Sequence, residues 1–529
     1  MKRIKIMGTI PEKKIRKSPL KKLLVLFEES RDKWKSKHRD SQIELKRLRN
    51  KVAVFQTTTE KWRNEALLTR KQIKQNALIA EALLLEPIKS SDIQPCPLTV
   101  DKIKYHTYYL QTILLMVQLV SDASVSLRGS ERVLNVVNNA MNQPLSAVPS
   151  WFSVRSWLLR IGYYNLMKDK QIANDWCWII DHTIQLGKTK FLLVLGVRLS
   201  ELPEKRSLQR SDLEIIELLP VTTSTGEIVY EQLEKIVSKT GVPRLIVSDN
   251  GTDVKLGVAK FRKEHIGCVS IYDIKHKTAC LLKAELSNNK EWLEFTEHAS
   301  QAKKQLQQTA LSHIAPPNQR SKSRYMNLEI LVDWAIKTLT ALEIKNDFKP
   351  HETEQLHKLA WLPACKDKLD EWTELLQVAQ LAEDNVRQEC ITREGYKVLE
   401  VQFNVNLPEL KSSTALKLKN DLIDFVRIQG QQCRDNERLL GSSEIIESTF
   451  GKQKNLEQQY SKEGFTSLIL GIGASIGTLT IDTVKQALHS TPVKKVTAWY
   501  KDILGETEQS KKRKVFSEVK NWKQSGLNL

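Results

Sequence analysis

Two aspartates in this chain each close an apolar run. Leu245-Ile246-Val247 breaks into Ser248-Asp249-Asn250-Gly251, and Trp176-Cys177-Trp178-Ile179-Ile180 stops on Asp181. A short β-branched run ending in polar turn residues reads as a buried strand. Open α/β sheets place their chemistry at the carboxyl ends of strands. Carboxylate oxygens are hard ligands suited to Mg²⁺-like cations, so the pair suggests a metal-binding carboxylate cluster. Aspartate also serves turns, which is the plain alternative for Asp249 taken alone. A calcium loop starting at Asp249 is excluded, because Lys260 stands where the bidentate glutamate belongs. Asp253 is a rival to Asp249, but it lies past the turn.

The elements that must position these acids alternate between 171 and 286. Strand patterns cover Trp176–Ile180, Lys190–Leu199 and Leu213–Val221, followed by a helix over Gly226–Gly241. A strand over Leu245–Val247, a helix over Leu256–His265, a strand over Cys268–Tyr272 and a helix from Lys275 complete the order. By analogy of pattern, that is the order of a ribonuclease-H-like mixed sheet, with Asp181 on the first strand and Asp249 on the fourth. Residues 287–438 then lose strand character and read as an all-helical block containing Trp292, Trp334, Trp361 and Trp372. Four tryptophans in such a block are more often core than a stacking platform for a base. Residues 439–490 begin with a serine-led helix start at Leu440–Gly451. They end in Gly471, Gly473 and Gly477, a pattern read as close helix packing rather than a dinucleotide fingerprint.

The 529 residues carry a formal charge of +20, which favours a polyanionic partner. Residues 1–51 hold 18 Lys or Arg against six Asp or Glu, and no Pro or Gly occurs from Leu20 to Leu84. Residues 1–86 therefore read as a basic long helix or coiled-coil arm, and the Pro/Ser-rich residues 87–98 as a linker. Residues 99–170 read as a helical, helix-turn-helix-like segment. There Arg128 and Arg155 are candidate DNA contacts, and Pro149–Gly162 is a capped helix ending at its glycine. An ordinary three-helix bundle fits the same spacing. Residues 491–529 read as a basic tail with Lys511-Lys512-Arg513-Lys514. No run approaches the roughly 18 apolar residues of a bilayer span. The start is not a secretory signal, and seven scattered cysteines without a C-x-x-C pair suit a reducing compartment.

Asp181, Asp249 and Glu447 resemble the D, D and E of transposases with a ribonuclease-H-like catalytic domain. Asp273-Ile274-Lys275-His276 resembles the (Cys/Asp)-x-x-His motif of the hAT superfamily. Ser442-Ser443-x-x-x-Glu447-x-x-Phe450 is similar to the stretch around that family's final glutamate. The resemblance covers roughly residues 175–485, and the helical block falls where those enzymes carry an all-helical insertion. Ser448 stands where the family has arginine, and no zinc-binding finger precedes the core. The front end looks more like that of a bacterial insertion-sequence transposase.

The resemblance implies a multidomain α plus α/β protein acting as a DNA transposase on element ends and target, as a homodimer or larger assembly. It implies two Mg²⁺ ions, with Mn²⁺ as a substitute, about 3.5–4 Å apart. Asp181 would bridge them, Asp249 would hold one, and Glu447 would hold the other or position the water. The catalytic His276 would contact the scissile phosphate or orient an acid, and Lys275 would contact DNA nearby. Glu444 is a rival to Glu447, one helical turn earlier. A structure-selective nuclease on the same sheet and a non-catalytic DNA-binding protein are the competing readings. The implied location is the cytoplasm at the nucleoid in a bacterium, or the nucleus in a eukaryote.

Overall fold

A computed structural model of the chain describes residues 31, 34, 35, 38, 42, 98, 101–104, 106–140, 145, 147–182, 190–319, 325, 328–344, 356–458, 466–505 and 510–517. Residues 1–94 and 95–529 form two separate units. The expected arm (1–86) and linker (87–98) lie outside the described residues, except for Leu98 and five exposed helical positions between 31 and 42.

In the second unit the β-branched runs form the strands they predict. Strands β1 (Trp176–His182), β2 (Lys190–Arg198), β3 (Glu214–Val221), β4 (Leu245–Ser248) and β5 (Val269–Tyr272) make one sheet. Their order is β3-β2-β1-β4-β5. β1, β2 and β3 run antiparallel, while β4 and β5 run parallel to β1. This mixed topology is compatible with a ribonuclease-H-like sheet.

The sheet is buried on both faces, which explains the near-continuous apolar strands. Side chains alternate along a strand, and the two cores follow that parity. Trp176, Trp178, Ile180, Leu192, Val194 and Ile246 pack under helices α4 (Gly226–Thr240) and α5 (Thr252–Glu264), through Val229, Leu233, Val258 and Phe261. Cys177, Ile179, Leu193, Leu195, Leu245, Val247 and Ile271 face the larger core. Each such aliphatic side chain contributes about 1.5–3 kcal/mol by leaving water. Helix α5 begins at Thr252, one turn before the expected Leu256, because the turn at Asp249–Gly251 leads straight into it.

The larger core recruits helices α1 (Leu110–Ser121), α2 (Leu127–Asn139) and α3 (Trp151–Met167). The segment 99–170 thus packs into the unit spanning 95–529. The chain does not stop α3 at Gly162 as expected. A Cβ there would lie 1.8 Å from the Leu470 carbonyl oxygen, and one at Gly473 would lie 2.5 Å from the Gly162 carbonyl. Gly162 and Gly473 let two backbones touch, so the close-packing reading of the 471–477 glycines fits what their helix α13 (Gly471–Ser475) does.

Between 287 and 438 the regular elements among the described residues are helices, apart from one isolated bridge, Ile391 to Leu439. Helices α6 (Ile274–Leu286), α7 (Lys290–Leu306), α8 (Glu329–Ile344), α9 (Lys366–Glu389), α10 (Gly395–Asn406) and α11 (Ser413–Gly430) lead to α12 (Glu444–Gln458). Trp292 and Trp372 are buried with ring centroids 4.8 Å apart, and Phe295 lies 4.9 Å from Trp372. Trp334 and Trp361 donate their ring N–H groups to the Ile314 and Lys358 carbonyls. These tryptophans are a core. Within the expected tail (491–529), α15 (Val493–Leu504) packs on α3, with Tyr163 and Trp499 rings 6.3 Å apart, as does the preceding α14 (Ile481–Ser490). No helix among the described residues is long and apolar enough to cross a membrane.

Candidate functional site

Asp181 and Asp249 share one face and one level. β1 pairs with β4 with Ile179 opposite Val247, so two residues on, at the carboxyl ends, the aspartates follow on neighbouring strands spaced about 4.8 Å apart. Their parity puts them with Ile179 and Val247, on the larger-core face. The turn after β4 is built for Asp249: Asn250 takes a left-handed φ of 57°, and the Gly251 N–H donates to Asp249 Oδ1 at 2.9 Å. The His182 N–H donates to Asp181 Oδ1 at 2.6 Å. Burial first, then the Asp249 charge, pushes the Asp181 carboxyl up to about 8. Asp181 thus keeps its proton near neutrality.

The rival Asp253 points elsewhere. It pairs with His182 Nδ1 at 3.6 Å and hydrogen-bonds Ser224, whose Oγ lies 3.3 Å from His182 Nε2. His182 follows the opposite parity along β1, but the cluster stays close enough to Asp249 for that charge to act on His182.

The far-off motifs meet through Asp273. This buried carboxylate caps α6 by accepting the His276 N–H at Oδ1, 2.8 Å, and takes the His276 ring Nδ1 at 3.1 Å. Its other oxygen accepts the Ser443 N–H at 2.5 Å and the Ser443 hydroxyl at 3.0 Å. Next to it the Ile274 N–H donates to the Gly441 carbonyl at 3.0 Å. Burial would raise the Asp273 carboxyl, but these donors hold it below the usual carboxylate range. Burial lowers the His276 imidazole, but Asp273, with the Glu447 and Asp249 charges, lifts it to about 9. The charged ring turns Nε2 toward Glu447 Oε1 at 3.7 Å. Burial raises the Glu447 carboxyl, against the pull of His276 and Lys275.

Glu444, the rival glutamate, is engaged by Lys275 Nζ at 2.9 Å and by Arg387 Nε at 2.7 Å. Lys275, expected at DNA, has its ammonium half-buried in that ion pair. Arg155, expected at DNA likewise, donates to Ser467 Oγ at 2.6 Å from a helix packed on the sheet core. Arg128 is exposed, with its guanidinium 5.2 Å over the Trp151 ring.

Asp181, Asp249, His276 and Glu447 therefore occupy one electrostatic neighbourhood, each of them acting on Asp181. They do not form a ready cage: among the described residues, no group of three or more His, Cys, Asp and Glu side chains is arranged to hold a metal ion. The neighbouring Asp181 and Asp249 carboxyls suit a hard divalent cation, which would compete with the Asp181 proton. Arg387 carried no signal in the sequence, since its pairing with Glu444 spans 57 residues and follows no local spacing.

No family model matches the chain, and no curated protein matches it. Among solved structures it is similar to the Drosophila P element transposase strand transfer complex, at 13% identity and a TM-score of 0.34, over 70% of this chain and 92% of that one.

Proposed function

We propose that this protein is a metal-dependent DNA transposase that cuts and joins strands at the Asp181–Asp249–Glu447 site. The observation that carries the reading is the placing of Asp181 and Asp249 at the carboxyl ends of adjacent parallel strands, with His276 and Glu447 brought near by Asp273. Asp181 and Asp249 would hold Mg²⁺, with Glu447 joining them. When bound, the ion supplies Lewis-acid relief of charge on the oxygens of a phosphodiester exchange.

The chain's own groups do the rest. His276, held charged by Asp273, can donate to a phosphate oxygen beside the carboxylates. Asp181 releases its proton as the site takes up cationic charge. The excess of basic residues holds DNA through its phosphates, as a homodimer or larger assembly in this reading.

The test uses purified full-length chain and supercoiled DNA carrying the sequences that flank its coding region. Asp181→Asn, Asp249→Asn and Glu447→Gln should each lower Mg²⁺-dependent cleavage and joining by at least about a hundredfold, the scale of losing one charge-stabilising group. DNA affinity should change little. Full activity in any of the three would overturn the assignment, and cleavage without covalent joining would make the protein a nuclease.

A further inference from the structure

The Glu447 helix is held at its first turn from outside the sheet. Arg387, in the last turn of α9, places Nε 2.7 Å from Glu444 Oε2, in charge contact but without hydrogen-bond alignment. Its other nitrogens donate to Glu383 Oε2 at 2.9 Å and Asp384 Oδ1 at 3.2 Å, which fixes the guanidinium on α9. Lys275 takes the remaining Glu444 oxygen at 2.9 Å. Glu444 precedes Glu447 by three residues, so the two share one side of the first turn.

Packing alone does not fix this turn. Arg387, Glu444, Ser442 and Ser448 line a cavity of ≈ 290 Å³, room into which the turn could shift. On the chain leading into it the fit is tight instead: a Cβ on Gly441 would lie 2.3 Å from Val386 Cγ1, next to Arg387. The 24-residue α9 is a strut of about 36 Å. Trp372, in the aromatic core of the helical block, lies toward its other end.

We propose that Arg387 is a positioning residue that sets Glu447 by clamping Glu444, so that the helical block between the second and third acids governs the geometry of the active site. The inference rests on the reading of Glu447 as a catalytic carboxylate. Glu444, Lys275 and Arg387 form a charge clamp in which each partner's loss frees the same turn.

The experiment compares Arg387→Met, Glu444→Gln, the double variant and Glu447→Gln as full-length protein. Three readouts are taken: the rate of strand joining at saturating DNA, DNA affinity, and amide hydrogen exchange along α12. Arg387→Met should lower the rate about tenfold, leave affinity within about twofold, and speed exchange in the first turns of α12. Glu444→Gln should do the same, and the double variant should be no worse than the poorer single one, since both remove one interaction. Arg387→Lys should recover part of the protection. Unchanged rate and exchange in Arg387→Met and Glu444→Gln, or additive losses in the double variant, would overturn the proposal. Should Arg387→Met fail to fold, Glu444→Gln decides the matter by the same readouts. Full activity in Glu447→Gln would instead remove the functional reading, while the exchange data still report whether the clamp holds the turn.

Discussion

Replacing Asp273 by asparagine isolates the tether between the two distant motifs. The wild-type carboxylate accepts four hydrogen bonds, two from His276 and two from Ser443, and is buried. An amide keeps one acceptor oxygen. Whichever way it turns, its NH₂ meets either the His276 N–H or the Ser443 N–H, donor against donor. Hydrogen bonds to a charged group are worth about 1.5–3 kcal/mol each. Two are lost, and the Ser443 hydroxyl recovers part of one by rotating to accept. The expected destabilisation is therefore about 3 kcal/mol. Ser443→Ala removes only the 3.0 Å hydroxyl bond and should cost about 1 kcal/mol. Urea unfolding of both variants measures the totals, and hydrogen exchange shows where the loss falls. It should concentrate at Ser443 and the first turn of α12, because the Ser443 N–H is the donor left without its acceptor. A loss under about 1 kcal/mol in Asp273→Asn, or exchange rising uniformly over the sheet, would refute the tether.

Three further outcomes follow from the packing and charge. Gly162→Ala would drive a Cβ to 1.8 Å from the Leu470 carbonyl oxygen, so it should destabilise by more than the usual 1–3 kcal/mol or so of overpacking, seen as a drop in Tm. Trp372→Ala, in the aromatic core of the helical block, should cost about 3–5 kcal/mol in urea unfolding; a loss below about 1 kcal/mol would mark the ring as surface. Glu457, buried beside Thr466 and Gln453, has its carboxyl raised by burial to about 7. A folded value above the ordinary one means that its stabilising contribution is full below about pH 4.5 and is lost as the pH rises through 7, on the order of 3 kcal/mol in all. Unfolding free energies from pH 5 to 8 should therefore differ in slope between wild type and Glu457→Gln, and parallel curves would disprove the shift.

The sheet was legible because its signal is local. Apolar runs such as Leu192–Leu195 and Leu245–Val247 have no use except burial, and the residues that end them mark the strand ends. The close-packing glycines were legible too, but Gly162 was misread as a helix stop, since only the Leu470 backbone pressed against it reveals its purpose. The basic residues were the hardest to read. Charge in a sequence does not say whether a lysine faces DNA or a glutamate 169 residues away, and Lys275 does the latter.

What the sequence by itself determined was the set of parts: five strands, the two strand-end aspartates, a helical block, and the Asp273–His276 and Ser442–Glu447 motifs. What only the tertiary structure decided was their partnership. Asp273 reaches Ser443, Arg387 reaches Glu444, and Asp253 pairs with His182, because hydrogen bonds and ion pairs form between neighbours in space. Chain periodicity, which encodes only which face is buried, carries no record of those neighbours.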